Sequence, residues 1–115
     1  NAGHNAPLII GNDGNVSAME VIPNLPLGLF SGFPYQGQET VVEKETMLYL
    51  FTDGVNEAEN NEMEQFSDER LIAMLKKNSA SGPKEIIGVT FAEVQRHADG
   101  ATQSDDITVM CLKRC

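Results

Sequence analysis

Two places in the chain put carboxylates where chemistry could use them. Asp53 directly follows the apolar run Met-Leu-Tyr-Leu-Phe-Thr (47–52), and Asp105 with Asp106 directly precedes a second apolar run at 107–112. A carboxylate at the end of a strand is held by a rigid scaffold, which is what a hard cation requires of its ligands. Asp53 and Asp105 are therefore candidate metal ligands. Each also has a plainer reading, Asp53 as a turn residue before Gly54 and Asp105 as a solvated loop residue. They lie far apart in the sequence, so only the fold can bring them together.

Other reactive types carry weaker signals. His4 reads as a structural member of its loop rather than a general acid. Cys111 and Cys115 stand four apart at the C-terminal end with no second pair, a spacing that supports neither a zinc knuckle nor a disulfide framework. Cys111 reads as a small hydrophobe in an apolar run, and a reducing cytosolic setting fits such usage. The acidic run from Glu57 to Glu69 reads as a solvated loop; a calcium-buffering domain would rest on that run alone. Gly11-Asn12-Asp13-Gly14-Asn15 lacks the spaced acidic ligands and closing Glu of a calcium loop, and reads as a turn.

The elements that must position these residues follow from patterning. Pro7 to Ile10 and Val16 to Ile22 flank that turn and predict a β-hairpin. Pro23 to Pro34 mixes Pro and Gly with Leu and Phe and predicts an apolar loop. Gln38 to Val42 is a candidate strand. Residues 47–52 form the strongest strand, and its near-continuous apolarity predicts burial on both faces. Ser67 is placed to cap a helix whose first turn carries Asp68 and Glu69 and whose last carries Lys76 and Lys77. Ser81-Gly82-Pro83 opens a second helix, ended by Asp99-Gly100. The order predicts an α+β fold, a mainly antiparallel sheet with two helices on one side.

The totals set bounds. With 115 residues the chain makes one domain, and with no Trp its core must be mostly aliphatic. A net charge of -9 argues against nucleic acid or an anionic membrane as partner. No run approaches the roughly 20 apolar residues needed to cross a bilayer. The chain opens on Asn1 rather than Met, which predicts a processed or cut piece.

Five words stand in order along the chain: Asn1-Ala2-Gly3-His4-Asn5-Ala6-Pro7; Leu25-Pro26-Leu27-Gly28-Leu29-Phe30; Leu50-Phe51-Thr52-Asp53-Gly54-Val55-Asn56-Glu57-Ala58; Phe66 with Glu69-Arg70-Leu71; and Gln103-Ser104-Asp105-Asp106-Ile107-Thr108. Together they resemble the 2C-type (PPM) metal-dependent protein serine/threonine phosphatases, in the bacterial branch of SpoIIE and RsbU. The resemblance implies a sandwich of two antiparallel sheets flanked by helices, with two Mn²⁺ or Mg²⁺ ions between the sheets. It implies that Asp53 and Asp105 are metal ligands and catalytic residues, while Asp106 orients the loop. By the same resemblance, a water activated by the ions would hydrolyse phosphoserine or phosphothreonine on a regulatory protein such as an anti-sigma-factor antagonist.

The resemblance also marks departures. The family domain starts earlier, with an aspartate-bearing strand and a D-x-S-G-x-G-like segment that have no counterpart here. Residues 1–115 are thus expected to be the C-terminal portion of a phosphatase domain without its N-terminal half. Such a piece should bind metal weakly, show little activity alone, and associate with copies of itself through exposed sheet edges. A non-catalytic interaction module in bacterial signalling is the alternative reading.

Overall fold

The turn formers at 11–15 close a hairpin, as their composition predicts. In the computed structural model, which describes residues 1–115, β1 (Leu8–Ile10) pairs antiparallel with β2 (Val16–Ala18). Gly14 sits at φ 81°, in the left-handed region that a glycine enters without strain. Asp13 Oδ1 accepts from Asn15 N at 3.0 Å and fixes the bend.

Strands β3 (Met47–Phe51) and β4 (Val109–Lys113) complete one sheet in the order β2-β1-β3-β4, antiparallel throughout. Two helices, α2 (Ser67–Lys77) and α3 (Pro83–Ala98), cover one face of it, and a short α1 (Asp53–Asn56) follows β3. The α+β class and the helices on one side are as expected; α1 is an addition to them. Of the two packed sheets that the resemblance implies, this chain builds one.

The core lies between that sheet and the helices. Leu8, Ile10, Met47, Tyr49 and Phe51 from the sheet meet Leu71 and Leu75 of α2 and Ile86 and Val94 of α3. Burial along β3 alternates: Met47, Tyr49 and Phe51 are buried, Leu48 and Leu50 only partly so. This corrects the expected burial on both faces. Leu48 pairs with Ile9 and Leu112, and Leu50 with Met110, so these residues share the opposite face. Met110 and Leu112 there are 54% and 52% exposed. Both faces are apolar in sequence, but the chain supplies helices for only one.

A buried polar link locks β3 to α3. Thr90 Oγ1 donates to Ile86 O at 2.8 Å, so it can accept from Tyr49 Oη at 2.9 Å. Burial pushes the Tyr49 phenol up to about 12, partly opposed by the Thr90 hydrogen bond.

The helix ends follow their sequence signals. Pro83 sits at the start of α3, and Asp99 ends it at φ 47° with its N–H on Gln95 O. Ser67 has φ 76°, which is non-helical, and its Oγ accepts only weakly from Arg70 N at 3.5 Å. Gln38 to Val42 is not a strand. The Gln38 side chain instead satisfies the backbone of 20–22, accepting from Ile22 N at 2.6 Å and donating to Glu20 O at 2.7 Å. Its own backbone therefore has no ladder to join. The last strand begins at Val109 rather than Ile107, because the residues before it are taken up by the junction with Thr52. No helix is long and apolar enough to cross a membrane.

Candidate functional site

Phe51 and Val109 are paired at the last rung of the β3–β4 ladder, so the chain segments beyond them emerge side by side. Thr52 joins them. Its N donates to Thr108 O at 3.1 Å, its hydroxyl donates to Asp106 O at 2.9 Å, and the same oxygen accepts from Thr108 N at 3.0 Å. One side chain thus ties the end of β3 to the acidic loop before β4.

Gly54 closes the junction further. It is buried, and a Cβ built on it would lie 2.3 Å from Asp106 O and 3.2 Å from Asp105 O. Backbone atoms cannot yield to such contact, so only glycine lets the two loops meet. Asp53, the residue before Gly54, and Asp105 are thereby brought to neighbouring loops at one end of the sheet. The glycine that made Asp53 look like an ordinary turn residue is what brings it to Asp105.

Both carboxylates are exposed. Asp53 Oδ1 accepts from Asn5 Nδ2 at 2.6 Å, and Asp105 Oδ1 accepts from Asp106 N at 2.7 Å. Gln103 Nε2 donates to Asp105 O at 2.8 Å and braces the same loop. In each case one oxygen is engaged and the second has no hydrogen-bond partner in the chain. Such a donor set, hard, anionic and open to solvent, fits Mg²⁺ or Mn²⁺. It is an incomplete set: nowhere do three or more His, Cys, Asp or Glu side chains gather as a metal site. A cavity of about 280 Å³ lies alongside, between α3 and the loop 100–105, and both Gly54 and Asp105 reach it.

Asn5 touches this candidate site, and reading by residue type did not single it out. It ends the Asn1–Asn5 turn, in which Asn1 Oδ1 accepts from His4 N at 2.8 Å and Asn1 Nδ2 donates to His4 O at 3.0 Å. Leu8 pairs with Tyr49, so continuing that register back from β1 sets Asn5 opposite Thr52. The signal existed only in the pairing. Gly3, at φ 76°, lies so close to Pro26 that a Cβ would come within 2.6 Å of its ring. Asn24 Nδ2 donates to Asn1 O at 2.8 Å, which binds the apolar loop to the same turn. His4 serves that turn, its Nδ1 lying 3.2 Å from Asn5 O.

Comparison with known proteins bears on the family and the fold. Residues 1–115 match the family described as Stage II sporulation protein E (SpoIIE). Protein IcfG of Synechocystis sp. is 29% identical over 114 residues, which are 99% of this chain and 18% of that protein. The PP2C phosphatase domain of SpoIIE from Bacillus subtilis, solved with a fragment of its regulatory domain, superposes with a TM-score of 0.75 at 24% identity, covering 96% of this chain and 32% of that one. The RsbU and RsbW domains of a Mycobacterium tuberculosis protein give a TM-score of 0.76 at 23% identity, covering 98% of this chain and 31% of theirs. The chain therefore spans only a minor part of each relative. With its full length matched and its fold shared, the chain belongs to the SpoIIE family.

Proposed function

We propose that this chain is the later, C-terminal portion of a 2C-type phosphatase domain. The complete domain would hydrolyse phosphoserine or phosphothreonine on a regulatory protein, of the kind exemplified by anti-sigma-factor antagonists, in the cytoplasm. The observation that carries this reading is the contact of Gly54 with the Asp105–Asp106 backbone, which sets Asp53 and Asp105 at one end of the sheet.

Asp53 and Asp105 would hold Mn²⁺ or Mg²⁺ through the oxygens that Asn5 and Asp106 leave free. When bound, the ions supply the Lewis acidity that activates a water for in-line attack on phosphorus. Thr52 and Gly54 keep the two loops in register while charge builds on the phosphoryl oxygens. Neither cysteine belongs to the junction, and a direct attack by water needs no nucleophilic side chain. Two carboxylates are too few to hold a pair of ions, so the isolated chain is expected to hydrolyse little. Its open sheet face and the edges β2 and β4 are expected to drive association between copies.

The test is phosphate release from a phosphoserine peptide in Mn²⁺. The complete protein should be active, the 115-residue chain nearly silent, and Asp53→Ala or Asp105→Ala in the complete protein nearly silent too. Full activity in both variants would refute the assignment.

A further inference from the structure

We propose that Asn5 is a positioning residue that sets the Asp53 carboxylate for its cation. The inference rests on the reading of Asp53 as a metal ligand and adds a role that this reading does not contain. An ionised carboxylate can only accept, so at 2.6 Å the Asn5 amide must be donating through Nδ2 to Asp53 Oδ1. Asp53 is exposed and begins a helix of only four residues, so its immediate surroundings do little to restrict its rotamers. The Asn5 hydrogen bond removes that freedom and leaves Oδ2 free for an ion. An amide does this without neutralising the carboxylate, as a lysine or arginine would.

Asn5 is itself held at both ends. Upstream lies the Asn1–His4 turn, and the Asn5 carbonyl lies 3.2 Å from His4 Nδ1. Gly3 is pressed on Pro26 behind it. Downstream, β1 is fixed in register with β3 by the buried Leu8 and Ile10. The bond therefore joins two rigid segments 48 residues apart in sequence, which a surface asparagine at a loop end would do only by accident. Partners of this kind commonly change metal affinity by about 10- to 100-fold when removed.

The experiment is a Mn²⁺ titration by calorimetry on the complete protein, paired with thermal melting of the metal-free form. Asn5→Ala should weaken Mn²⁺ by about tenfold or more, with the metal-free melting temperature nearly unchanged. Asn5→Gln, which keeps the donor, should recover part of the affinity. A residue that only builds the loop would show the opposite: a lower melting temperature and unaltered Mn²⁺ affinity in the folded protein. If Asn5→Ala does not fold, Asn5→Leu, close in shape but without a donor, carries the same test. Unchanged affinity in the Asn5 variants, with affinity lost in Asp53→Ala, overturns the positioning role alone. Unchanged affinity in Asp53→Ala overturns the metal reading and the Asn5 role with it.

Discussion

Asp53 and Asp105 stand at the open ends of two paired strands, while Glu57, Glu59, Glu62, Glu64, Asp68 and Glu69 crowd the stretch just downstream. The second group has more carboxylates in a shorter span, yet it makes no site. Its order is built mainly from other atoms, with Asp68 Oδ1 and Glu64 Oε2 alone accepting from asparagine amides. Asn60 Oδ1 accepts from Glu62 N at 2.9 Å and Glu64 N at 3.0 Å, Arg70 Nη1 donates to Gln65 O at 3.2 Å, and His97 Nε2 lies 2.8 Å from Glu64 O. The backbone is fixed and most of its carboxylates are left to water. At Asp53 and Asp105 both backbone and carboxylates are fixed, one oxygen each. Preorganisation rather than charge density separates a candidate site from a solvated loop.

The strongest way to break this comparison is to remove the fixed carboxylates. Asp53→Ala or Asp105→Ala should lower phosphatase activity of the complete protein by roughly a thousandfold, about 4 kcal/mol of transition-state stabilisation. Steady-state kinetics with a phosphopeptide checks it. Next in size is Gly54→Ala. A methyl group 2.3 Å from a backbone carbonyl forces the two loops apart. The cost should be about 3 kcal/mol of stability, read by urea denaturation, and activity should fall with it because Asp53 and Asp105 lose their spacing.

Much of this is legible in the sequence itself. The hairpin, the strand expected at 47–52 and found at 47–51, both long helices and the candidacy of Asp53 and Asp105 followed from turn residues, periodicity and strand-end position. What stayed hidden depends on pairing between distant segments. Asn5 meets Asp53 only through the β1–β3 register, and Gly54 looks like a turn glycine until the 105–106 loop lies on it. The alternating burial of β3 depends on which layers the chain supplies, which hydrophobicity alone does not state. Gln38 was misleading because a side chain took the hydrogen bonds that a strand backbone would have used.

A smaller effect tests the rigidity of the strand that carries Asp53. The folded Tyr49 phenol is raised from 10.0 to about 12, chiefly by burial. In the unfolded chain the phenol loses its proton near pH 10, while in the fold it keeps it. Stability is therefore fully present below pH 10 and is lost as pH rises through 12, by about 2 to 3 kcal/mol. Burial also pushes the Cys111 thiol up, which acts in the same direction. Urea denaturation at pH 8 and pH 11 should show the decline, and Tyr49→Phe should reduce it.

The smallest expected effect is the most direct comparison of the two regions. Glu62→Gln and Glu69→Gln together remove two negative charges, one more than Asp53→Asn removes. Neither side chain lines the cavity that Gly54 and Asp105 reach, and neither accepts a hydrogen bond through its carboxylate. Stability should stay within about 0.5 kcal/mol, and Mn²⁺ affinity of the complete protein should stay within about twofold, since exposed charges at a distance are screened. The single change Asp53→Asn, smaller in charge, should cost far more affinity. If the double substitution in the acidic run instead weakened Mn²⁺ as much as Asp53→Asn does, charge density would be the governing quantity. The contrast drawn from the hydrogen bonds of Asn5, Thr52 and Gly54's close packing would then be wrong.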